Sequence, residues 1–73
     1  MNDNEFFKRK LHILTDKYDL RAIILQNEKN LFKMILIKNI IGTLLFESRF
    51  YKNSENVYYK TIKYIEGRFE NNE

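Results

Sequence analysis

The chain has 73 residues, with thirteen Lys and Arg against ten Asp and Glu, and so a net charge of +3 at pH 7. That length makes one domain that buries roughly 60% of its unfolded surface, and so small a net charge does not by itself imply a nucleic-acid partner. With no cysteine and a single histidine, His12, the sequence excludes disulfides and thiolate metal sites and offers no histidine cluster for a metal.

Residues 3–18 read as the first helix. Phe7, Leu11, Leu14 and Tyr18 recur at steps of four, three and four, which puts them on one face. Asn2 or Asp3 caps its start, and Glu5 follows Asn2 at capping-box spacing. Lys8, Arg9 and Lys10 cover its outer surface, and Tyr18-Asp19 marks a break. No charged segment followed by an apolar stretch and a cleavage site opens the chain, so a secretory signal is not expected.

The middle supports two readings. As strands, Leu20–Gln26 and Leu31–Asn39 flank the four-residue turn Asn27-Glu28-Lys29-Asn30, and a third strand follows around Leu44–Phe50. As a helix, Asn30 caps a segment that runs to about Phe50. The absence of proline, Asn-Gly and Asp-Gly favours the helix. Leu31, Phe32, Met34, Ile35, Leu36, Ile37, Ile40, Ile41, Leu44, Leu45 and Phe46 would then wrap its whole circumference. A helix apolar all round must be covered all round, and two short neighbours cannot do that, so a homodimer is expected. The same run is interrupted by Lys33, Lys38 and Asn39 and is shorter than the roughly twenty apolar residues of a membrane span; no membrane association is expected.

The last helix begins at Asn53 or Ser54, with Glu55 in its first turn and Gly67 near its end. Tyr58, Ile62, Ile65 and Phe69 form its apolar stripe, and Lys60, Lys63 and Glu66 point away from it. The expected fold is therefore all-α: a single-domain small helical bundle with helices near 3–18, 30–50 and 54–69, closing in a C-terminal helical hairpin. The alternative is α+β, with two terminal helices flanking a small antiparallel sheet at 20–50. The expected core is Leu11, Leu14, Ile35, Ile41, Leu45, Tyr58, Ile62 and Ile65.

Along this hairpin, Ile41-Gly42, Leu45, Ser54, Tyr58 and Thr61 set small residues beside large ones, with Tyr51 at the bend. That spacing, over residues 38–66, resembles one tetratricopeptide-type hairpin. The chain departs from the family pattern at Lys38, where an aromatic is usual, and at Glu66, where a proline closes the repeat. The resemblance implies a scaffold for contacts. Repeat arrays need three or more units, so a generic antiparallel hairpin accounts for the pattern better.

No nucleophile, base and orienting group occur together, Gly42 and Gly67 are isolated, and carboxylates lack metal-ligand spacing. No catalytic residue, cofactor or metal is expected, and the protein reads as a non-enzyme. Six Phe and five Tyr are dense for this length, and the adjacent pairs Phe6/Phe7 and Tyr58/Tyr59 cannot both lie wholly on one buried face. Phe6, Tyr59 and Tyr64 are the candidate partner anchors, since aromatics dominate binding hot spots. Arg9, Lys10, Lys60 and Lys63 supply a basic rim.

Nine Ile, nine Asn and nine Lys indicate an AT-biased genome. In size, composition and aromatic density the chain resembles, in type only, the small host-takeover and anti-defence proteins of phages that infect low-GC bacteria. That resemblance implies a cytoplasmic binding protein which inhibits or modulates a larger host protein by occupying its surface. The alternative is a small basic nucleic-acid-binding regulator, with tyrosine stacking and lysine–phosphate contacts.

Overall fold

The computed structural model describes residues 3–70. The order is α1 (Asp3–Lys17), β1 (Leu20–Gln26), β2 (Phe32–Lys38), β3 (Leu44–Glu47) and α2 (Ser54–Ile65), with a π-helical extension at Glu66–Glu70. The three strands form an antiparallel meander in the order β1-β2-β3. Both helices pack on one face of it. They run parallel: Ser54 Oγ lies 3.2 Å from Asn4 Oδ1 at one end, and Lys10 and Lys17 pair with Glu66 and Glu70 at 3.0 and 2.9 Å further along.

The all-α expectation is therefore overturned, and the α+β alternative describes the fold. Residues 30–50 form no helix. Asn27 and Asn30 replace the turn dipeptides whose absence favoured one. Asn27 Oδ1 accepts the amides of Lys29 and Leu31 at 2.9 and 3.0 Å, and Asn30 takes φ +61, a conformation asparagine tolerates. The second turn uses Gly42 at φ +71. Phe32–Lys38 is apolar on both sides because it is the central strand. Phe32, Met34 and Leu36 face the helices, while Ile35 and Ile37 face the other way. The segment is thus apolar all round without being a helix.

The expected C-terminal helical hairpin loses its first helix to β3, so the tetratricopeptide-like register does not form. Leu45 is the extra residue of a bulge, since Leu36 pairs with Phe46 but Ile37 with Leu44. Tyr51 lies beside Phe32 in an isolated bridge, not at a helical bend. Ile41 is 71% exposed on the β2–β3 loop, not in the core.

The core consists of Leu11, Leu14, Leu20, Met34, Leu36, Val57, Tyr58, Ile62 and Ile65. Five of these were anticipated. Ile35 and Leu45 are half-buried. Asn53 caps α2 as expected, in extended geometry with Oδ1 accepting the Asn56 amide at 3.1 Å. Asn2, the other expected cap, lies outside the described residues. No helix among them is long and apolar enough to cross a membrane.

Candidate functional site

The anticipated partner residues fall on the outer surface of the helical layer, with one exception. Phe6 is 55% exposed and meets Phe7 edge-on at 5.6 Å. Phe7 in turn meets Tyr59 of α2 at 5.7 Å, also edge-on. Lys63 Nζ lies 5.7 Å from the Tyr59 ring centre, and Tyr59 remains 43% exposed. A continuous run of rings ending in an ammonium group therefore crosses the seam between the helices. Arg9 and Lys60 are exposed. Lys10 is engaged, because its ammonium pairs with Glu66 and neutralises an acid of this surface.

Tyr64 is the exception. It is half-buried and stacks on Phe46 at 4.8 Å, pinning α2 to β3. From the sequence it resembled Tyr59; only the strand beneath α2 tells them apart.

The parallel helices place both N-termini at one end of the molecule. Each helix start carries about half a positive charge from its unpaired amides. The β1–β2 turn with Lys29 lies at the same end, as does Lys52 just before α2, since the Phe32–Tyr51 bridge holds these segments side by side. Both lysines are exposed. Asp3, which opens α1, and Glu5, Glu28 and Glu55 are acids of the same end. At the opposite end, Lys17 and Tyr18 both donate to Glu70 Oε2, at 2.9 and 3.0 Å. Those bonds raise the Lys17 pKa and lower that of Glu70. Lys29 and Lys52 are thus exposed cations at the helix-start end, while Arg9, Lys60 and Lys63 lie further along the outer helical surface.

Sequence reasoning missed a second surface. Among the described residues no helix covers the sheet's other face, which carries Ile23, Leu25, Ile35, Ile37 and Leu44, ringed by Arg21, Lys33 and Glu47. Lys33 and Glu47 form an ion pair across β2 and β3. Beside this face the β2–β3 loop presents Ile40, 81% exposed, and Ile41. The available signal was Asn39-Ile40-Ile41-Gly42, in which two turn-forming residues bracket an isoleucine pair.

Among the described residues no cluster of three His, Cys, Asp or Glu is placed to hold a metal. Comparison with protein-family models, curated proteins and solved structures finds no match, so the site is interpreted from its own chemistry.

Proposed function

We propose that this protein is a small non-enzymatic nucleic-acid-binding regulator that grips the phosphate backbone with the helix-start end and the outer helical surface. The exposed cations Arg9, Lys60 and Lys63 on the outer helical surface, with Lys29 and Lys52 at the helix-start end, carry the reading. Backbone amides and ammonium groups at a helix start suit phosphate oxygens. The exposed rings of Phe6 and Tyr59 supply stacking surface for unpaired bases, which tolerates any sequence. A net charge of only +3 implies modest, salt-sensitive affinity without a base-edge code.

The open sheet face supports the expected homodimer. Sheets pack face to face about 10 Å apart, and such pairing covers Ile23, Ile35 and Ile37 while leaving both helical layers outward. A cytoplasmic location accords with this reading.

The test is fluorescence anisotropy with a labelled single strand and a duplex over a salt series. Four phosphate contacts give a slope of log K against log salt of about −3 to −4 on duplex. Arg9→Glu with Lys60→Glu should reduce binding at least tenfold, whereas Arg68→Glu should change it little. A salt-independent signal, or none at low salt, overturns the proposal.

One observation favours a second reading, that of an inhibitor occupying a larger host protein. Ile40 and Ile41 stand almost fully exposed beside the apolar sheet face, as expected of an anchor entering a partner's pocket. In that reading, replacing both with serine abolishes capture of the host protein and leaves nucleic-acid binding unchanged.

A further inference from the structure

We infer that the outer edge of β1 is a strand-addition site, which takes an extended peptide segment of a partner protein beneath α1. The two edges of the sheet differ. β3 is short and bulged at Leu45. Its continuation is irregular again: Ser48 bonds to Met34 and Tyr51 to Phe32, so the outer strand advances further than β2 does. Such irregularities blunt an edge. β1 has none, pairing residue for residue with β2 along its full length. It also contains no proline or lysine.

The hydrogen bonds fix which groups of β1 remain available. The Asp19 carbonyl accepts from Asn39, and the Asn27 amide donates to Leu31. By antiparallel alternation, Leu20, Ala22, Ile24 and Gln26 then aim their amides and carbonyls away from β2. Alongside runs a groove of about 440 Å³ between α1 and β1. Its apolar floor includes Leu11, Ala22 and Ile24, and Ile24 is 38% exposed although it faces the helical layer.

The occupant follows from geometry and charge. A second copy cannot pair β1 antiparallel with β1, because α1 overlies β1. Strands add about 4.8 Å apart, whereas helix axes need about 8–10 Å, so the two α1 helices would collide. A lone extended segment has no such conflict. α1 runs antiparallel to β1, which places Lys8 beside the Ile24 end of the groove and Asp16 beside the Leu20 end. A segment added antiparallel therefore carries an acid early, small aliphatic residues opposite Ile24 and Ala22, and a base late. Main-chain bonds supply affinity and the alternate side chains supply selectivity.

The probe is the blocked peptide Glu-Thr-Val-Thr-Val-Thr-Lys, titrated into isotope-labelled full-length protein. The amides of Leu20, Ala22, Ile24 and Gln26 should shift and gain protection from hydrogen exchange. The charge-reversed peptide, with Lys first and Glu last, should bind at least several-fold more weakly. Ala22→Pro removes an outward amide and leaves the β1–β2 ladder its bonds, so it should weaken binding about tenfold or more in a folded protein. Lys8→Glu with Asp16→Lys, which leaves the strand itself intact, should invert the preference between the two peptides. Shifts confined to other elements, equal binding of both peptides, or no response at millimolar peptide would each overturn the inference.

Discussion

The Ser48 hydroxyl takes the place of a strand carbonyl for Met34, accepting its amide at 2.8 Å, while the Ser48 amide donates to the Met34 carbonyl at 2.9 Å. The same hydroxyl donates to the Arg49 carbonyl at 2.8 Å. Both residues are buried. Ser48 thus satisfies backbone groups where the outer strand leaves its regular register beside β2, which is a structural role.

Replacing Ser48 with alanine leaves the Met34 amide without that partner in the core. An orphaned buried donor costs about 1–3 kcal/mol, a large part of a small domain's stability. Ser48→Ala should lower the urea midpoint by a corresponding amount with an unchanged slope. A midpoint within error of the parent would show that Met34 finds another acceptor.

Two aliphatic truncations separate the sheet from the helical reading of the middle segment. Leu36 is fully buried in the central strand, whereas Ile41 stands on an exposed loop. Leu36→Ala should cost about 2–5 kcal/mol, and Ile41→Ala should stay within about 0.5 kcal/mol. Thermal melts of the pair suffice. Equal, large losses would place Ile41 in a core this fold does not give it.

The contact between the helix ends depends on pH. Glu70 accepts from Lys17 and Tyr18, which holds its pKa below the ordinary 4.5, and Phe69 stacks on Tyr18 at 5.0 Å. A lowered carboxyl pKa stabilises the fold above the unfolded-state value, and this contribution disappears as pH falls through the folded-state value. Lys17, raised above 10.5 mainly by its bond to Glu70, has the opposite sign: its contribution is lost as pH rises through the raised value. Resonances of Tyr18 and Phe69 should therefore stay constant through neutral pH and move together below pH 4.5. Lys17 is exposed and Glu70 half-buried at the surface, so the global melting temperature should change little with Glu70→Gln.

The terminal helices were legible in the sequence because their evidence is local. Phe7, Leu11 and Leu14 repeat at helical spacing, and Asn53 caps α2 with its own side chain. The sheet was legible only as the alternative reading, because a central strand flanked on both sides and apolar on both faces shows no alternation of polar and apolar residues. Phe32–Lys38 is such a strand, and its apolar faces mimic a helix buried all round. The exposed isoleucines of the β2–β3 loop and the β1 groove depend on strand pairing, which no local pattern in Ile23 or Ile41 announces. The ring-and-cation surface was partly legible, since Phe6, Tyr59, Lys60 and Lys63 lie on helices whose faces could be assigned.

Tyr59 and Tyr64 lie on the same helix and should respond to truncation in opposite ways. Tyr64 stacks on Phe46 at 4.8 Å and joins α2 to β3. Its removal forfeits buried area and an aromatic pair worth about 0.5–1.5 kcal/mol beyond that area. Tyr64→Ala should therefore lower the melting temperature and weaken nucleic-acid binding only as far as the fold is lost. Tyr59 is exposed, touching Phe7 edge-on and carrying Lys63 over its ring. Tyr59→Ala should leave stability nearly unchanged, yet weaken binding to a single strand by about 1–3 kcal/mol if a base stacks there. Tyr59→Phe should keep that affinity, because the ring and not the hydroxyl provides the platform. Should Tyr59→Ala bind as the parent does while Arg9→Glu binds poorly, the contact is with phosphates alone and the rings are structural edging.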